Sequence, residues 1–345
     1  MAKDLVVIDP NPICSWDKLN QKYNKEFSSG RPKWIFRADN PCKKPTTRNY
    51  HEILETSLDK DFKRFGIEAN SKDIRRNIER DLIRSFRRKI PLYLNRNPEK
   101  LLEAMALLRH FGGPARMLDW LYSFFVAIYF AVNRADAKNQ IVVWALNSDW
   151  LAVQNFGFER KFIKNKINKL SKDLSNKDTI AKEVEKKLDK SNRPRDFKQF
   201  LRRKMLTEDL NEYSFYKEVL SDPTDLSNEG LYYLMDHPDD FIYAVNPYYL
   251  NERLTIQQGV LLCSGNVNKT WGENLKGMML KKNGVEPTDK PVLHGFIIEN
   301  KTPVIKDFLK RLYDRNITQA TLFPNIGGFA ESMKTKIAIL EKRRS

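Results

Sequence analysis

The chain has 345 residues, 41% hydrophobic and 30% charged, with 14 glycines, 16 prolines and a formal net charge of +17. That is apolar material enough for a sizeable core and excludes wholesale disorder, and the length suits one large domain with an insertion, or two domains. The longest uninterrupted apolar run, Phe124 to Val132, has nine residues, far short of the ~20 of a membrane-spanning helix, so no membrane partner is expected.

The start, MAKDLVVIDP, carries an acidic residue at position 4 and no extended apolar region, unlike a secretory signal, which predicts cytoplasmic residence. Residues 1–30 read as a lead-in and 31–345 as the domain. WIFR at 34–37 reads as a strand, residues 73–89 as a basic amphipathic helix, and PEKLLEAMALLRH from 98 to 110 as a helix that stops before Gly112. A short strand from Arg116 to Trp120 then runs into a helix capped by Ser123 and extending to about Ala131; apolar on every side, it is expected inside the protein. IVVWAL at 141–146, FIYAV at 241–245, GVLLC at 259–263 and HGFIIE at 294–299 read as further strands. Their spacing is too uneven for a regular βαβ rhythm, so the expected fold is α+β, a mixed sheet with packed helices.

Residues 155–220 look inserted. From Arg160 to Lys204 there are 17 Lys and Arg against 6 Asp and Glu, which supplies +11 of the net charge. Ile163, Ile167, Leu170 and Leu174, then Ile180, Val184 and Leu188, recur at helical spacing and suggest a hairpin with a basic outer face. Such a face is either simply solvated or meets a polyanion, nucleic acid being the partner considered. Only Phe162, Phe197 and Phe200 could stack on bases there.

Chemistry concentrates in RHFGGPARMLDW, Arg109 to Trp120, where His110, Arg116 and Asp119 interrupt an apolar, glycine-rich run. An ion pair between Arg116 and Asp119 could merely satisfy a buried turn; alternatively the polar groups line a ligand pocket. The three cysteines, Cys14, Cys42 and Cys263, lack any C-x-x-C spacing, and His51, His110, His237 and His294 are too dispersed for a metal cluster. Neither a metal nor a disulfide framework is expected. His237, in DHPDD, reads as a surface turn. No nucleophile elbow, P-loop, dinucleotide fingerprint or zinc-protease spacing occurs.

WIFR at 34–37, HFGGPARMLDW at 110–120 with FFVAIYFAV behind it, RLTIQQGVLL at 253–262 and LFPNIGGFA at 322–330 follow one another in an order that resembles the FRG domain, a mostly prokaryotic family. Two positions depart from the family pattern: Ala38 stands in place of the glycine of the Phe-Arg-Gly triplet, and Leu121 in place of the threonine after the Trp. The resemblance implies a role of the kind such families fill in stress or phage defence. The layout also resembles that of ADP-ribosyltransferases, with an arginine ending the first motif strand, a second strand running straight into an apolar helix, and a polar residue opening a third. By that analogy the substrate is NAD, Arg37 clamps its phosphate or ribose oxygens, Asp119 or His110 orients it, and Gln257 or Gln258 stands where those enzymes carry a glutamate. Arg116, Trp120 and Arg253 complete the expected ligand-binding set. A glutamine offers only a dipole to a developing cation and takes no proton, so Glu252 or a carboxylate from elsewhere would have to serve. Two expectations follow: a nucleotide-using, ADP-ribosyltransferase-like enzyme acting on a macromolecule, or a noncatalytic module for a nucleotide, nucleic acid or protein.

Overall fold

In the computed structural model, residues 5–28, 30, 32–68, 74–94, 101–136, 138–155, 240–245, 256–280 and 291–340 are described. The basic segment Arg160 to Lys204, His237, Glu252 and Arg253 lie outside them.

Runs of β-branched and aromatic residues build seven strands: β1 (Val6–Ile8), β2 (Trp34–Asp39), β3 (Met117–Leu121), β4 (Ile141–Asn147), β5 (Ile242–Val245), β6 (Gly259–Ser264) and β7 (Leu293–Ile298). They form one mixed sheet in the order β1-β7-β4-β2-β3-β6-β5. β1 lies parallel to β7, and the other neighbours are antiparallel. Every residue of β4 and of β7 is buried. That is the signature of central strands covered on both faces, and it explains why IVVWAL shows no alternation of apolar and polar residues.

On one face lies α6 (Phe124–Asn133), whose Ser123 cap accepts a hydrogen bond from the Val126 amide. It is apolar all round because it is sandwiched: Phe36, Leu121, Ala145 and Phe296 of the sheet meet it on one side, Phe308 and Leu312 of α8 (Thr302–Tyr313) on the other. The opposite face is built on tryptophans. Trp120 and Trp144 of the sheet join Trp271 of α7 (Trp271–Leu280), with Tyr50 of α2 (Tyr50–Ile53) and Leu54. Each such fully buried side chain contributes roughly 1.5–3 kcal/mol.

The β3–β6–β5 end is covered by α4 (Ile74–Lys89) and α5 (Leu101–His110), which bring Ile83, Ala104 and Met105 onto Met117, Leu261 and Cys263. Met117 and Leu121 are four apart on one strand and share a face, so α5 and α6 sit on the same side of the sheet with Asp119 between them.

Within residues 1–30, read from sequence as a lead-in, lie the edge strand β1 and the helix α1 (Trp16–Lys22), whose Trp16 and Leu19 are buried in the α6 core. A three-residue strand is too short to show a period. The strand expected at 116–120 runs from Met117 to Leu121. No helix among the described residues is long and apolar enough to cross a membrane.

Candidate functional site

β2 shares six register pairs with β4, and β3 shares five with β6, but β2 and β3 share one, Phe36↔Leu121. Past that pair the two strands part. Arg37 spans the parting: its Nη1 donates to the Asp119 carbonyl at 2.9 Å, giving a partner to a backbone oxygen that has left the ladder. Its Nε and Nη2 hold the two carboxylate oxygens of Asp39 at 2.9 and 2.8 Å, a bidentate fork that fixes the guanidinium plane.

The second wall comes from the end of α5. Gly112 stops the helix with φ of 82°, a left-handed conformation that favours glycine. Gly113 follows so closely on the helix that a Cβ there would lie 2.3 Å from Leu108 Cδ1. This tight exit leaves Arg109 and His110 on the last turn, beside the parting, where the negative end of the helix dipole favours cations. Arg109 Nη2 donates to Asp119 Oδ2 at 2.6 Å.

Between these walls lies a cavity of about 450 Å³, within the roughly 300–1,000 Å³ of small-molecule and cofactor sites. Arg37, Lys60 of α3 (Ser57–Arg64), Arg109 and Arg134 line it against two carboxylates, Asp39 and Asp119, so cations exceed anions by two. Arg134 follows the last turn of α6, and its guanidinium lies 5.5 Å from the centre of the Phe130 ring. Among the described residues it has no ion-pair partner. Desolvation, and then the neighbouring Arg37, hold its pKa below the ordinary arginine value. Among the described residues no group of three or more His, Cys, Asp or Glu could hold a metal.

Of the residues expected from sequence, Arg37, His110, Asp119 and Gln257 meet in this cavity. Gln257 is 7% exposed, and its Nε2 donates to the Leu322 carbonyl at 3.1 Å, so its amide ties the start of β6 to α9 (Gln319–Leu322). The other expected positions go elsewhere. Arg116 does not pair with Asp119: it lies on the bend before β3, which begins at Met117. Arg116 instead meets Glu79 of α4 at 2.9 Å and donates to the Gly265 carbonyl at 2.7 Å, in the interior. Asp119 has Arg109 in its place. Trp120 is fully buried and stacks on Trp271 with ring centres 5.8 Å apart, which makes it core rather than pocket wall. Gln258 is exposed with φ of 53°, and its carbonyl accepts from the Tyr122 amide, so it turns away where Gln257 turns in.

Sequence reasoning missed Arg109, Arg134, Asp39 and Lys60. Arg109 and Arg134 each sit at the end of an apolar helix, a cue that was available; Asp39 and Lys60 gave none, since only the parting of β2 from β3 brings them to one cavity.

The sequence matches the FRG domain family over residues 47–140. That stretch holds HFGGPARMLDW, α6, and five of the polar side chains of the cavity, Lys60, Arg109, His110, Asp119 and Arg134. WIFR, RLTIQQGVLL and LFPNIGGFA lie outside the matched stretch. No curated protein and no solved structure matches the chain. The cavity between α5 and α6 is thus built largely from the matched segment, and the chain contains an FRG domain.

Proposed function

We propose that the cavity binds a diphosphate-bearing nucleotide, NAD first among them, and that the protein is an ADP-ribosyltransferase-like enzyme acting on a macromolecule. The observation that carries this reading is the convergence of Arg37, Arg109 and Arg134 from three elements, the last of them without a carboxylate of its own. The excess of two cations matches the charge of a diphosphate, and planar guanidinium forks suit its oxygens. The three motif strands β2, β3 and β6 are neighbours in the sheet, as a single site drawn from all three requires. In the proposed reaction the bond between ribose and nicotinamide breaks, and its electron pair leaves with nicotinamide. The acceptor's lone pair closes on the ribose cation, and the acceptor proton passes to His110 or to water. Asp119, with Oδ2 oriented by Arg109, is the carboxylate best placed to stabilise the cation.

One observation favours a second reading, a noncatalytic nucleotide-binding module. The third motif strand opens with Gln257, whose amide is engaged with Leu322. Either reading is compatible with the stress or defence role that the family resemblance implies. Incubating the full chain with NAD and, in parallel, with RNA, DNA or cell lysate, and following nicotinamide release and ADP-ribose mass gain by mass spectrometry, separates them. Release that disappears in Arg134→Ala supports the enzyme. Calorimetric binding of NAD or ADP-ribose without release supports the module, and neither binding nor release removes both.

A further inference from the structure

From Ile74 to Lys89, α4 carries seven Arg and Lys against two acidic residues. One of the two, Glu79, is buried against Arg116, which leaves Asp81 as the exposed carboxylate of the helix. Arg80, Arg84 and Arg88 are all exposed and recur every four residues, so they form one row along the outward side. Arg80 donates to Asn77 Oδ1 at 2.9 Å, and none of the three has an ion-pair partner among the described residues. At a rise of about 1.5 Å per residue the row is about 12 Å long. One strand of a stacked, helical nucleic acid offers three or four phosphates over that length of its axis, at roughly 3.4 Å each. Tyr93, 81% exposed, follows the C-terminal end of the helix and offers a ring face of the kind on which unpaired bases stack.

We infer that the outward face of α4, with Arg80, Arg84 and Arg88, is a docking surface for a nucleic-acid strand. The apolar side of the helix argues against an anionic membrane as the occupant. Ile83 is committed to the core over β6, and Ile78 and Leu82 pack with Leu58, Phe62 and Val267; the exposed Ile74 at the first turn and Leu92 beyond the last are too far apart to form an apolar stripe that inserts between lipids. α4 packs on α5, which brings Arg109 and His110 to the cavity, but none of the three row arginines lines that cavity. The surface therefore stands or falls apart from the nucleotide reading.

The test is fluorescence anisotropy of labelled single-stranded RNA and DNA 20-mers titrated with the full chain across a salt series. The triple variant Arg80→Gln, Arg84→Gln, Arg88→Gln should bind about tenfold or more weakly, and the slope of log affinity against log salt should fall by roughly 2, at about 0.7 per lost phosphate contact. A control triple that removes as much charge from other elements, Lys43→Gln, Lys310→Gln, Lys334→Gln, should leave the slope unchanged. All six side chains are exposed, so matching thermal melts establish that both variants fold. Equal losses in the two triples, an unchanged slope in the first, or binding to vesicles containing phosphatidylserine with none to either oligonucleotide overturns the assignment.

Discussion

Arg134→Ala separates a ligand-binding arginine from a structural one. The side chain has no ion-pair partner among the described residues, and its surroundings disfavour its charge, first through desolvation and then through Arg37, with Arg109 adding to the effect against the attraction of Asp119 and Asp39. Removing it forfeits the contact with Phe130, about 0.5–1 kcal/mol at an exposed site, and relieves repulsion of the opposite sign. The expected stability change is therefore within about 0.5 kcal/mol of zero. Toward a phosphate-bearing ligand the same arginine supplies charge-assisted hydrogen bonds of roughly 1.5–3 kcal/mol, so Kd should rise about 10- to 150-fold. Isothermal titration with ADP-ribose, beside a urea melt of each protein, reads both quantities. A variant that binds ADP-ribose as the parent does, or that loses several kcal/mol of stability, would refute the argument. Arg37→Ala is the less clean probe, because Arg37 also holds Asp39 and the Asp119 carbonyl.

Two predictions concern the scaffold. The side chains of Arg116 and Glu79 are 3% and 4% exposed; burial raises the Glu79 pKa against the opposing pull of Arg116. Arg116→Met should cost roughly 3–5 kcal/mol in urea unfolding by leaving Glu79 buried alone, and adding Glu79→Leu should recover most of that loss. Asp9 joins β1 to Lys22 of α1 and to His294 of β7. Burial pushes the Asp9 pKa up, but hydrogen bonds from His294 and Lys22 outweigh it and hold the group below its ordinary 3.8. With the folded pKa below the unfolded one, this stabilisation is present above the carboxylate range and is lost as pH falls through the lowered value. Stability measured in urea at about pH 3 and pH 7 should therefore differ less in Asp9→Asn than in the parent.

The sequence by itself determined the secondary structure around the site and part of its membership. Ser123 followed by nine apolar residues predicts a buried, capped helix, and α6 is that helix. The α+β class, the strands of the core and the meeting of Arg37, His110, Asp119 and Gln257 were legible in the order of the motifs. Only the tertiary structure decided the partners. Arg116 and Asp119 are neighbours in sequence, yet they take different partners: α4 supplies Glu79 to one and α5 supplies Arg109 to the other. Trp120, expected from sequence in the ligand-binding set, is held in the core by Trp271, some 150 residues later, which stacks on it. Local pattern records which way a side chain turns relative to its neighbours in the chain. What meets it there depends on helices far away in sequence, and the cavity exists because β2 and β3 part after a single register pair, which no local period records.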